Sequence, residues 1–211
     1  MKDDSMQILK NTDLVEVVDL LKAGQIVVFP TETSYGLGCN AENQEAVDQV
    51  FNIKGRKNDK SLLIVVPNIE MAKKYLVWNE LLEKMSAKFW PGPLTIVGEY
   101  KNDAGSVLAQ GVVSKNGTIA VRVTNFESLR LLTAELGKPV VATSANISDA
   151  GDIYDSAIVK TAFQDKQNAP DALLDFGKLP FHKPTTIISV VNNFLQILRV
   201  GEITDRQLSF D

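Results

Sequence analysis

One cysteine, Cys39, and one histidine, His182, leave this chain poor in thiol and imidazole chemistry. A lone thiol cannot close an internal disulfide, and the two residues together fall short of a zinc ligand set. Cys39 reads as a small buried apolar residue. His182, near Phe181 and Pro184, has no partner that would make it the base of a catalytic triad. A surplus of positive charge is also lacking: 22 basic against 26 acidic residues give a net charge of -4 at pH 7. The bulk field therefore repels nucleic acid, and any anion site needs a local basic patch. No apolar run approaches the ~20 residues of a membrane helix. The start, Met1-Lys2-Asp3-Asp4, lacks the basic-then-apolar order of a signal peptide. A cytoplasmic protein with no membrane partner is expected. Repeats and low-complexity linkers are missing too, so residues 1–211 are read as one domain.

What is present is globular, with 45% hydrophobic and 23% charged residues. Leu14, Val17, Leu20 and Leu21 recur at helical spacing between a cap at Asn11 or Thr12 and the stop Gly24. Ile26 to Phe29 is an apolar run halted by Pro30, which suits a strand buried on both faces, and Leu62 to Val66 is a second. Helices are expected over Glu45 to Lys54, Ile69 to Val77, Glu80 to Phe89 and from a cap at Asn125 to Gly137. Trp90-Pro91-Gly92-Pro93 reads as a structural corner before a strand from Leu94 to Tyr100, and Lys101 to Lys115 as a long loop or flap. Pro139 to Ala142 is a short strand. Thr185 to Val191 and Phe194 to Val200 flank Asn192-Asn193, residues that tolerate positive φ, so they predict a hairpin. Helices alternating with strands plus a terminal hairpin predict an α/β single domain, a twisted mixed β-sheet flanked by helices.

Three constellations carry polar chemistry. Pro30 to Gly38 places three hydroxyls and the Glu32 carboxylate directly after a buried strand, where open α/β sheets put ligands; the alternative is a turn whose hydroxyls satisfy backbone groups. Lys54 to Ser61 packs four cations into seven residues, a patch fit for a polyphosphate or a solvated loop near a helix end. The third group is Thr118 with Arg122 on one face of an alternating strand, Thr143 to Asn146 after the next strand, and Thr185 and Arg199 at the ends of the hairpin. Neither a Walker loop nor G-x-G-x-x-G occurs.

PTETSYGLG at 30–38, KGR at 54–56, WPGPLT at 90–95, VRV at 121–123, ATSANIS at 142–148, TTII at 185–188 and ILRVG at 197–201 together resemble the YrdC family of threonylcarbamoyl-AMP synthases. They keep the family's order from about Asp13 to Gly201, and the length resembles the short, single-domain form. The resemblance implies a YrdC/RibB-like fold. It also implies formation of threonylcarbamoyl-adenylate and pyrophosphate from L-threonine, bicarbonate and ATP, for threonylcarbamoyladenosine modification of tRNA. By that likeness Lys54 and Arg56 would be catalytic. Lys54, Arg56, Lys60, Thr118, Ser144, Asn146 and Arg199 would bind ATP, and Thr33, Arg122, Thr143 and Thr185 would hold threonine. Mg²⁺ would arrive with ATP, no cofactor would be permanently bound, and tRNA and a downstream threonylcarbamoyl-transferase complex are the implied partners. Lys57, Ser61, Asp149 and Val200 depart from the family pattern, and Thr124 and Phe126 stand where it often has proline and histidine. Two rival readings are a non-catalytic RNA-binding module and another adenylate-forming or carbamoyl-transfer domain on the same scaffold.

Overall fold

The computed structural model describes residues 6–55, 61–102, 107–146, 151–164 and 166–209. Its elements follow the order β1 (Gln7–Lys10), α1 (Leu14–Lys22), β2 (Val27–Pro30), β3 (Tyr35–Gly38), α2 (Gln44–Lys54), β4 (Ile64–Val66), α3 (Ile69–Tyr75), α4 (Glu80–Phe89) and β5 (Leu94–Glu99). Then come β6 (Thr118–Val123), α5 (Glu127–Leu136), β7 (Val140–Val141), β8 (Thr143–Ser144), α6 (Ser156–Phe163), β9 (Ala172–Asp175), β10 (Thr186–Val191), β11 (Phe194–Arg199) and α7 (Asp205–Leu208).

The strands divide between two mixed sheets rather than forming the one expected sheet. The first runs β1-β9-β2-β3-β8 and the second β11-β10-β5-β6-β4-β7. Both combine parallel pairs (β1 with β9 and β2 with β9 in the first, β5 with β10 and β4 with β6 in the second) with antiparallel ones. The chain crosses from one sheet to the other at Ala142, between β7 and β8, which belong to different sheets. A bridge between Asn40 and Val140 and the bond from Val141 N to Cys39 O stitch the seam. Gly38 is required there, because a Cβ at that position would lie 1.8 Å from Val141 O.

The two apolar strands are buried on both faces for a reason visible in their period of two. Val28 enters one core while Val27 and Phe29 enter another; Ile64 and Val66 share the first, Val65 the second. The second core is closed by α1 and α5 through Val17, Val18, Leu21, Leu129 and Leu132, each worth about 1.5–3 kcal/mol of burial. Helices α2, α3 and α4 start on Asn43, Asn68 and Asn79, whose side chains accept from Ala46 N, Met71 N and Leu82 N. The expected caps at Asn11, Thr12 and Asn125 are not used: the cap position of α1 is Asp13 and that of α5 is Phe126, whose N–H donates to the Thr124 hydroxyl. Gly55 and Gly137 end α2 and α5 in the left-handed conformation, and Asn192 and Asn193, at φ 51° and 58°, make the hairpin turn. No described helix is long and apolar enough to cross a membrane.

Candidate active site

An open cavity of about 1320 Å³ lies where the β2–β3 turn, β5, β6, β8 and the ends of the β10–β11 hairpin converge. Its polar wall follows from strand alternation. On β6, Ile119, Val121 and Val123 enter the core, while Ala120 and Arg122 face the cavity. On the hairpin, Thr185 faces the cavity; its neighbour Thr186 is wholly buried, donating to Ile203 O and accepting from Gly201 N and Ile203 N. Gly201 allows that approach, since a Cβ there would sit 2.1 Å from Pro184 O.

Arg199 reaches back along its hairpin, donating from Nε and an Nη to Thr185 O at 3.1 and 2.8 Å and to Thr185 Oγ1 at 3.1 Å. The Thr185 hydroxyl is also 3.1 Å from that of Thr95. Burial holds the Arg199 guanidinium below its ordinary pKa; the Asp152 carboxylate opposes this, and the charge of Arg122 adds to it. Two guanidiniums thus feel one another across a shared cavity, an arrangement that favours an anionic occupant.

The β2–β3 turn is both kinds of loop at once. Thr31 satisfies its own backbone: Oγ1 donates to Ser34 O at 2.8 Å and accepts from Thr33 N and Ser34 N. Thr33 lines the cavity, its hydroxyl 3.1 Å from that of Thr31. Thr143 and Ser144 reach the wall through β8, paired to Leu37 and Gly36 of β3. The bond from Ala145 N to Tyr35 O continues that seam, and Tyr35 Oη, donating to Gly177 O and accepting from Phe176 N, pins the strand from below.

Lys54 does not line the cavity. It is 3% exposed, and its ammonium donates to Ser144 O (2.7 Å), Asn146 O (2.6 Å) and Asn146 Oδ1 (2.5 Å). Asn146 also stays behind the wall, accepting from Ser144 Oγ and donating to Gly151 O. Thr118 shares a strand face with Arg122, but it is not a wall residue; its hydroxyl lies 2.8 Å from Ser114 Oγ. Of the eleven expected site residues, then, Thr33, Arg122, Thr143, Ser144, Thr185 and Arg199 come together at one cavity, and Lys54, Asn146 and Thr118 stand behind or beside it. Arg56 and Lys60, with the rest of the basic patch from 56 to 60, lie outside the described residues.

Residues without an expected role also shape the site. Thr95 and Asp152 line it, as does the stretch from Leu108 to Asn116. Of the long loop or flap expected over Lys101 to Lys115, residues 103–106 lie outside the described residues, and the rest is a loop packed as a wall: Leu108, Ala109 and Val112 are buried, Ala109 N donates to Ala41 O, and Gly111 O accepts from Leu62 N. Glu32, noted in the sequence only as a carboxylate among hydroxyls, lies 3.5 Å from Arg122 Nε and accepts from Thr124 Oγ1 at 3.0 Å. It lines a smaller cavity of about 410 Å³, which shares Thr31 and Thr33 with the large one and is also bounded by Phe126 and His182. Cys39 is buried at the seam, and burial pushes its thiol far above the ordinary range, which fits the inert reading.

The Sua5/YciO/YrdC family model, described as "Telomere recombination", matches residues 19–201. Over 194 residues the chain is 32% identical to the threonylcarbamoyl-AMP synthase of Vibrio vulnificus (strain YJ016), covering 90% of this chain and 99% of that protein. Among solved structures it is similar to P. abyssi Sua5. The likeness to a doubly substituted form has a TM-score of 0.87 at 28% identity, over 96% of this chain and 59% of that one. For the complex with L-threonine the TM-score is 0.83 at 28% identity, over 93% and 57%. The chain spans about three fifths of the length of that P. abyssi protein. With the motif order, the two-sheet fold and a match over residues 19–201, this chain belongs to the Sua5/YciO/YrdC family.

Proposed function

We propose that the protein is an L-threonylcarbamoyladenylate synthase, making threonylcarbamoyl-AMP and pyrophosphate from L-threonine, bicarbonate and ATP. The observation that carries this reading is the pair of guanidiniums, Arg122 and Arg199, on one cavity whose other polar groups are mostly hydroxyls. Such a wall suits two anionic substrates held side by side. The V. vulnificus relative's name and the L-threonine bound to P. abyssi Sua5 support the same activity.

The chemistry asks for no covalent nucleophile from the protein. The threonine amine adds to carbon dioxide derived from bicarbonate and loses a proton, giving a carbamate. A carbamate oxygen then bonds to the α-phosphorus of ATP as the bond to the β-phosphate bridging oxygen breaks and pyrophosphate leaves. Catalysis reduces to alignment and to stabilising charge on phosphate oxygens. Arg122 would pair with the threonine carboxylate, with Thr33, Thr143 and Thr185 placing the rest of the amino acid. Arg199 and Ser144 would meet the nucleotide, with Arg56 and Lys60 reaching its phosphates. Lys54 would act from behind Ser144, its charge one hydroxyl away from the cavity.

Among the described residues no cluster of three or more carboxylate, imidazole or thiol groups could cage a metal, and Asp152 is the one carboxylate on the cavity wall. Mg²⁺ is expected to arrive on the phosphates of ATP. The product is a mixed anhydride, which requires a carbamoyl-transfer partner that passes it to tRNA.

The purified protein is expected to release pyrophosphate only when ATP, L-threonine and bicarbonate are all present, and Arg199→Ala to lower the rate by about 100-fold. Equal release with any amino acid, or with none, overturns the assignment. Salt-dependent tRNA binding without pyrophosphate would favour an RNA-binding module instead.

A further inference from the structure

We propose that Thr124 and Glu32 are positioning residues for Arg122, fixing which edge of its guanidinium meets the amino-acid carboxylate. The inference rests on the function proposed above and adds two residues to that site. Thr124 is fully buried, and its hydroxyl is committed on both sides, accepting from Phe126 N at 3.1 Å and donating to Glu32 Oε2 at 3.0 Å. One carboxylate oxygen is therefore tethered to Thr124. The other, Oε1, stops 3.5 Å from Arg122 Nε. Both of these atoms are buried, and neither makes a hydrogen bond among the described residues.

That combination is unusual. A buried guanidinium and carboxylate ordinarily close to about 2.7–2.9 Å with charge-assisted hydrogen bonds, because unmet donors and acceptors in a dry place are costly. Here the charges face each other while the hydrogen bond is withheld, and the tether from Thr124 supplies the reason. Glu32 approaches from the small cavity, whereas Arg122 lines the large one, so the pair spans the wall between them. With the Nε edge turned toward Glu32, the terminal nitrogens are left as the fork for an incoming carboxylate. A carboxylate behind the guanidinium also tempers its charge, so an anion lacking the matching two-oxygen geometry gains less from Arg122.

The test is a steady-state comparison of Thr124→Val, Glu32→Gln and Thr124→Ser by pyrophosphate release, with thermal midpoints measured alongside. Thr124→Val keeps the shape and removes the hydroxyl, and Glu32→Gln keeps the shape and removes the charge. Both are expected to raise KM for L-threonine about tenfold while KM for ATP and kcat stay within about twofold, and Thr124→Ser to restore KM. An unchanged KM for threonine in folded Thr124→Val and Glu32→Gln overturns the inference and leaves the function standing. A loss of kcat and both KM values in step with the thermal midpoint also overturns it, as the mark of a purely structural role. If the unmodified protein makes no threonine-dependent pyrophosphate, the function fails. The positioning role is then read from the Arg122 Nε–H resonance of arginine-labelled protein, expected to shift in Thr124→Val and return in Thr124→Ser; no shift overturns it.

Discussion

Lys54 and Arg122 are both almost fully buried cations within the same site, and they are satisfied in opposite ways. Among the described residues, the Lys54 ammonium donates to neutral oxygens at 2.5 to 2.7 Å, two from the Ser144 and Asn146 backbone and one from the Asn146 side chain. Arg122 faces a full negative charge, yet its Nε makes no hydrogen bond among the described residues. A cation whose donors meet well-placed acceptors holds the chain together. One that is charge-balanced but short of hydrogen bonds is ready for a partner from outside. The first builds the wall, and the second presents it.

The sharpest way to break this contrast is to remove the Lys54 charge. Lys54→Met retains much of the stem but takes the ammonium away from the inward-facing Ser144 and Asn146 backbone oxygens, while Asn146 Oδ1 keeps the Ser144 hydroxyl. A loss of about 3–5 kcal/mol is expected, seen as a lower denaturation midpoint with an unchanged slope. Activity should fall with it, because Ser144 and Thr143 lose the anchor beneath them. A stability change under about 1 kcal/mol would mean that Lys54 is not the structural cation of the pair.

Arg122→Lys tests the other half. It keeps a positive charge beside Glu32 but replaces a planar fork with a point charge. The expected result is a drop of about 100-fold in kcat/KM for L-threonine, with a stability loss well below that of Lys54→Met because a charge is kept beside Glu32. If stability and activity fell together, Arg122 would belong with Lys54 and the distinction would be lost.

Much of this was legible in the chain itself. Strand alternation put Arg122 on a polar face, and Asn192-Asn193 marked the hairpin that returns Arg199 to Thr185. Glycines after Lys54 and Leu136 stopped two helices where expected. What escaped has physical reasons. Tyr35-Gly36-Leu37-Gly38 carries two glycines, a poor strand by propensity, and becomes one because the seam leaves no space for a Cβ at Gly38. The strands Ala172–Asp175 and Gln7–Lys10 and the helix Asp205–Leu208 are four residues long, too short for a period to show, and the helix Ser156–Phe163, of eight residues, spans little more than two turns. A lysine in a helix's last turn ordinarily reads as solvated, so nothing local marked Lys54 as turned inward. The bond between Thr124 and Glu32 joins positions 92 residues apart, and only the meeting of β6 with the β2–β3 turn creates it.

A third kind of cation completes the comparison and carries the smallest expected effect. Lys138 Nζ lies 2.5 Å from Glu42 Oε2, as short as the bond from Lys54 to Asn146 Oδ1, but its side chain is 46% exposed. Water can take over both partners when the pair is broken, and Glu42 keeps the hydroxyl of Tyr75, which donates to its other oxygen at 2.9 Å. Lys138→Ala is therefore expected to cost under about 1 kcal/mol and to leave pyrophosphate release unchanged. Since solvent screens the pair, that small cost should shrink further as salt is raised, whereas the Lys54→Met deficit should hardly respond. Equal salt sensitivity in the two variants would show that distance rather than burial separates these cations, and the contrast drawn between Lys54 and Arg122 would have to be rebuilt on geometry alone.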